Sequence, residues 1–363
     1  MFATTSNTSG VFMQANPSAH ESKPTVPPRA ERVAALRQLM GKPDPSVGEL
    51  TRAIRRTAYR NYDRYVMPLV QQHWPELIGQ GFGKKLRFLT CDLYASAPYS
   101  VLFSSPNRPL AIRLATAFAN RLPLPNRVLG FGTRLAMSAI KRLAYQHEHR
   151  RIVLVAAFIA CVDHVFDHCM EDEPVERGRK MHDLLNGKYA PDTPGLALTR
   201  AIHQAMSHRL TLEENDPFHA AMVRVHDWID SEVSAMTGED DPTGLGFRVA
   251  GVEGTIDGLI FPVYRYAGEA ARQWMYDVSM FVQLMDDWID YEVDAAGDRT
   301  TPVITGSWKF EDVESMWKGT VSGIEELTRA AGLKAPHYVR FVREAYVLMM
   351  HEVADAMIDG IAD

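Results

Sequence analysis

Apolar side chains recur three and four positions apart along most of this chain, the repeat that gives an α-helix one buried face. From residue 46 the pattern predicts helices over 46–74, 83–103, 111–120, 128–143, 147–172, 176–185, 199–210, 216–236, 245–266, 269–294, 310–331 and 336–361. Ser46, three residues before Glu49, has the spacing of a capping box, and Pro68 is placed to kink or divide the first helix. The second is interrupted near Pro98, and "SSPNRP" and "LPLPN" read as loops. There is no convincing strand alternation and no hairpin signal. Long helices with short Pro and Gly breaks predict an all-α, single-domain helical bundle over 46–363. Residues 1–45 hold a stretch rich in Ser, Thr and Pro and read as a disordered tail. One local echo stands out, "HDWIDSEV" at 226–233 against "DDWIDYEV" at 286–293; with no further periodicity it reads as similar helix chemistry.

Composition narrows the function class. With 46% hydrophobic residues among 363, the chain can bury a large core. A net charge of -6 argues against nucleic acid as a partner. Cys91, Cys161 and Cys169 lack metal-knuckle spacing, and an odd count fits a reducing, cytoplasmic setting. The longest apolar run, Ile152–Val162, is short of the roughly 20 residues a bilayer span requires. A peripheral membrane contact and a homodimer stay open.

The acidic residues carry the candidate chemistry. Asp163, Asp167 and Glu171 are spaced four apart within "AAFIACVDHVFDHCMEDEP", and Asp286, Asp290 and Asp294 repeat that spacing within "FVQLMDDWIDYEVDAAGDR". Like charges at this spacing cost a helix about 0.2–0.5 kcal/mol per pair. Apolar flanks such as Phe158, Val162 and Phe166 add a desolvation cost. Hard divalent cations offset both. Mg²⁺ takes one or two carboxylates, keeps waters and completes its shell with phosphate oxygens. Two acidic faces across a cavity would hold several Mg²⁺ around a diphosphate. His164 and His168 would suit zinc, but carboxylate ligation accounts for more residues, and the pair is expected to pack beside the site.

These blocks resemble known families. "QLMDDWID" (283–290), with Gln283 three residues before D-D-x-x-D, resembles the second aspartate-rich motif of trans-isoprenyl diphosphate synthases. "VDHVFDHCMED" (162–172) resembles the first D-x-x-x-D of squalene and phytoene synthases, and "DYEVD" (290–294) matches their second. "FRVAGVEGTIDGLIF" (247–261) is similar to their V-A-G-x-x-G segment. "DDWIDYEVDAAGDR" resembles a motif of bacterial large-terpene synthases, and "AYRNYDRYVMPLVQQHW" is loosely similar as well. The blocks are scattered between about residues 50 and 300. They imply the class I isoprenoid synthase superfamily: an antiparallel helical bundle with a central active-site cavity. The departures lie at His164, Phe88 and Ile289, which stand where the elongation or head-to-head enzymes carry Asp, Pro and Arg.

On that resemblance Asp163, Asp167, Asp286, Asp290 and Asp294 are the catalytic set, with Glu171 joining them as metal ligands. Arg248 and Arg299 would hold diphosphate, because guanidinium gives bidentate contacts. Lys84 and Arg87 of "GKKLRF" resemble a diphosphate-binding motif. Gly251 and Gly254 would kink a helix or admit substrate, Phe247 would contribute an aromatic wall, and Gln283 belongs to the second motif. Asp227, Asp230 and Glu232 read as a surface face before a support for the metals, and Asp257 as a buried, satisfied carboxylate or a support for the site. The expected activity is that of an Mg²⁺-dependent terpene synthase. It would ionise a linear prenyl diphosphate of fifteen to twenty carbons or longer and cyclise the cation. A head-to-head prenyltransferase and a non-catalytic helical partner protein are the alternatives.

Overall fold

The most apolar run of the sequence becomes the helix around which its neighbours gather. In the computed structural model every residue from Ile152 to Val162 is buried. A helix apolar all round belongs in a core, not at a surface. The structure describes residues 26–79, 81–94, 114, 117, 120–121, 146–208, 217–237, 241–263, 268–297 and 299–359. Every regular element among them is helical.

The α-helices run α1 (Arg29–Met40), α2 (Gly48–Tyr65), α3 (Met67–His73), α4 (Gly81–Phe88), α5 (Gln146–His168), α6 (Pro174–Leu185) and α7 (Pro194–Ser207). They continue as α8 (Pro217–Ala221), α9 (Val225–Thr237), α10 (Leu245–Thr255), α11 (Glu269–Ile289), α12 (Tyr291–Ala296), α13 (Phe310–Ala330) and α14 (Pro336–Asp359). None of the described helices is long and apolar enough to cross a membrane. The predicted helix at 128–143 falls outside the described residues, as does most of 95–120.

Two apolar clusters organise the packing. The first joins α2 to α7 and α9 around Phe158, Leu154 and Ile202. The second joins α1, α10, α11, α13 and α14 around Phe281, Leu284 and Trp317. Ile260 packs against both, which puts the stretch after α10 at their seam.

Several boundaries differ from the sequence pattern for local reasons. The tail expected over 1–45 is wrong for its last third, because Arg29–Met40 is a helix that buries Arg32, Leu36 and Met40. Pro28 before it and Gly41 after it are ordinary start and stop signals. Residues 1–25 lie outside the description. Ser46 does not cap α2: it sits in a 3-10 turn, Pro45–Val47, capped by Asp44, whose Oδ1 accepts the Ser46 amide at 2.9 Å, and α2 begins after Val47 with no side-chain cap. The chain does divide around Pro68, which sits in the first turn of α3, where a missing N–H costs nothing. The helix expected over 245–266 loosens into a π-helical turn, Ile256–Ile260.

Candidate functional site

The cavity lies between the two clusters. It encloses about 150 Å³, and about 1230 Å³ when the solvent-open space around it is counted. Four helices wall it. From α5 come Ile152, Val155, Ile159 and Asp163, one residue per turn along a single face. From α9 come Trp228, Ser231 and Glu232. Phe247, Arg248 and Gly251 come from α10, and the π-turn adds Ile256 and Ile260. From α11 come Trp274, Met275, Val278, Val282 and Gln283.

Polar groups gather at one end. On α5 the lining ends at Asp163, with Asp167 one turn further on; on α11 it ends at Gln283, with Asp286 about one turn beyond. Burial, then the charges of Asp167 and Glu232, push Asp163 up to about 7, although water reaches it through the cavity. Burial, then Asp287 and Asp290, push Asp286 to about 7 as well, and the charge of Asp163 adds to it across the cavity. Asp294 rises to about 6 through burial and Asp287. Asp290 is also raised by burial, against the fields of Arg29, Lys85 and Arg32. The two acidic sets, more than a hundred residues apart in sequence, therefore act on one another.

Arginines tie the two sets together. Arg299, just past α12, pairs with Asp167 on α5 at 3.4 Å, while its amide donates to the Asp294 carbonyl at 3.0 Å. Arg248 forms an ion pair with the buried Asp287. Burial opposes the Arg248 charge, but Asp287 and Glu232 more than restore it. Arg32 sits almost fully buried at the end of α11. Its Nε donates to the Trp288 carbonyl at 2.7 Å, its Nη2 donates to the Ile289 carbonyl at 3.1 Å, and it also pairs with Glu292. A cation there satisfies the orphan carbonyls of the helix end. It also fixes the break at Asp290, whose backbone leaves the helical region between α11 and α12.

Not every expected residue joins this site. Asp163, Phe247, Arg248, Gly251 and Gln283 line the cavity. Asp167, Asp286, Asp290, Asp294 and Arg299 lie at its acidic end. Glu171 does not continue the first set: α5 stops at His168, so Glu171 leaves the helical register and is exposed. Arg87 turns to Asp63 at 3.0 Å, with its guanidinium over the Tyr59 ring, so it is engaged on the α2 side. Lys84 is half-buried on α4. Its neighbour Lys85, to which the sequence motif gives no role, is the α4 cation whose field reaches Asp163, His164 and Asp290. Gly254 serves helix packing instead of a kink, because a Cβ there would meet the Trp228 backbone nitrogen at 2.8 Å. The glycine lets α10 close onto α9.

Glu232 is the residue the sequence undervalued. It turns away from Asp227 and Asp230 into the cavity, accepts from Trp228 Nε1 at 3.0 Å, and is raised by burial against the pull of Arg248. Its four-residue spacing from Trp228 was the available signal, since that spacing puts both on one helical face. Asp257 is satisfied by Arg224 at 2.8 Å and Arg272 at 2.6 Å. His164 stacks on Phe82 with centroids 3.4 Å apart, and burial, then His168, lowers it to about 4. A neutral packed ring fits the role expected for it.

The carboxylates suit a hard cation in kind: several oxygens, their protons held by burial and then by mutual repulsion, with the nearest arginines already committed to Asp167 and Asp287. Among the described residues no group of three or more His, Cys, Asp or Glu converges closely enough to hold an ion alone. An ion here would draw most of its shell from water and substrate, as Mg²⁺ does. No family model, curated protein or solved structure matches the chain.

Proposed function

We propose that the protein is a class I terpene synthase that ionises one linear prenyl diphosphate and cyclises the cation in the apolar cavity. The observation carrying it is the union of two acidic elements, bridged by Arg299, at one end of a slot with aromatic walls. Charged groups meet there and apolar groups lie below, the polarity of an amphiphile with an anionic head.

Asp163, Asp167, Asp286, Asp290 and Asp294 would hold Mg²⁺, which supplies Lewis-acid neutralisation of the departing diphosphate. Arg299 and Lys85 orient the diphosphate from the α12 and α4 sides. Arg248, fixed on Asp287, adds a cation at the cavity wall. Below them the apolar faces of α5, α10 and α11 exclude water from the released cation. The ring faces of Trp228, Phe247 and Trp274 stabilise positive charge through their quadrupoles.

Incubating the protein with prenyl diphosphates of ten to twenty-five carbons and Mg²⁺, then measuring released diphosphate and extracted hydrocarbons, tests this. The expected result is a cyclic hydrocarbon or alcohol of unchanged carbon number. A product of doubled length would transfer the site to head-to-head joining. No diphosphate release at any length would overturn the enzymatic assignment.

A further inference from the structure

We propose that Trp274 is the floor of the cavity, that Gly323 sets its height from outside, and that the resulting depth selects a fifteen-carbon chain; the carbon number rests on the prenyl diphosphate assignment above.

Trp274 is the lining residue on α11 farthest from the acidic end, as Ile152 is on α5. From Asp163 back to Ile152 is eleven residues, and from Gln283 back to Trp274 is nine. At the helical rise of 1.5 Å per residue these are about 16 Å and about 14 Å. An extended carbon chain advances about 1.2 Å per bond, as the polypeptide backbone does over its three bonds per residue. The twelve-carbon main chain of a fifteen-carbon prenyl group then reaches about 14 Å, and the sixteen-carbon main chain of a twenty-carbon group about 19 Å. The first fits extended. The second must fold back.

The floor is rigid because three groups behind it hold the indole. Nε1 donates to the Thr320 carbonyl at 2.9 Å. Tyr346 meets the ring edge-on at 5.5 Å between centroids. Gly323 on α13 lies so near that a Cβ there would stand 2.8 Å from Cδ1. Real Cβ contacts essentially never come that close, so even one methyl group must displace the indole. With α13, α14 and their contacts behind the ring, the open direction is into the cavity. Trp274 is thus a specificity-determining wall, and Gly323, which does not touch the cavity, is a positioning residue.

The two positions predict opposite shifts. Prenyl alcohols of ten, fifteen and twenty carbons are competed against the dye ANS without metal, so the readout does not depend on turnover. In the parent protein affinity should rise at least tenfold from ten to fifteen carbons, consistent with a few-fold per buried methylene, and gain nothing at twenty. Trp274→Leu should carry the gain on to twenty carbons. Gly323→Ala, which must lift the indole to relieve a 2.8 Å contact, should reduce the gain from ten to fifteen carbons. An unmoved plateau in both variants overturns the floor, even if the protein turns over prenyl diphosphates. Shifted plateaus without diphosphate release leave the floor standing and sink the enzymatic assignment. If Trp274→Leu fails to fold, Trp274→Phe keeps a ring while dropping the Thr320 bond, and its plateau together with that of Gly323→Ala decides the matter.

Discussion

Residues 226–233 and 286–293 differ at only two of eight positions, yet they put the same side chains to opposite uses. In the first, Glu232 and Trp228 face the cavity, while Asp230 points outward to His182 at 2.7 Å. In the second, Asp290 belongs to the acidic end of the cavity, Glu292 points outward to Arg32, and Trp288 is buried against Phe310. Asp227 is exposed beside Arg224, whereas its counterpart Asp287 is buried on Arg248. The difference comes from the partners. Gly254 lets α10 close on the Trp228 face of α9. The second segment instead spans a helix end, where the Arg32 cap and the break at Asp290 redirect the chain. Local sequence sets which residues share a face; neighbouring helices decide which face is turned inward.

The largest contrast should separate the two equivalent aspartates. Asp290→Ala should lower turnover of a prenyl diphosphate by about a hundredfold to a thousandfold, the scale for losing a group that stabilises developing charge. Asp230→Ala should change it by less than about twofold, as surface substitutions usually do. Equal losses would mean that the two segments share one role.

The glutamates should separate on stability instead. Glu292→Gln leaves the Arg32 guanidinium buried without its carboxylate and should cost about 1–3 kcal/mol in urea unfolding. Glu232→Gln removes a carboxylate that burial already disfavours, so metal-free stability should hold or rise. A loss at Glu232 matching that at Glu292 would erase the distinction between inward and outward faces.

A further effect should appear with pH. Asp163 and Asp286 sit near 7 and Asp294 near 6 in the folded protein, against 3.8 for an ordinary aspartate. The folded state binds protons that the unfolded chain has released, so the stabilisation is complete below about pH 4 and lost as pH climbs through about 7. Without divalent metal, Tm should therefore fall between pH 5 and pH 8. Saturating Mg²⁺ should flatten that slope, because a bound cation replaces the protons. A slope unchanged by Mg²⁺ would separate the acidic end from metal binding.

Much of the fold was legible because helical periodicity is local. The α5, α9, α11, α13 and α14 helices lie close to where the apolar spacing puts them. The aspartates were legible too, since carboxylates among apolar neighbours already signal a conflict. What local spacing could not supply was orientation and termination. Glu171 looked continuous with Asp167 until α5 ended at His168. Lys85 and Arg87 differ by two positions, and only the placement of α4 against α2 and α5 brings one within electrostatic reach of Asp163 and pairs the other with Asp63. Arg32 was invisible because its role depends on carbonyls more than two hundred residues away.

The most direct test is calorimetric titration with inorganic diphosphate, with Mg²⁺ and with EDTA, on the parent protein and on Asp163→Asn combined with Asp290→Asn. Two acidic elements sharing one cation-dependent site predict binding that requires Mg²⁺ and vanishes in the double variant. Equal binding with EDTA, or full binding by the double variant, would contradict it.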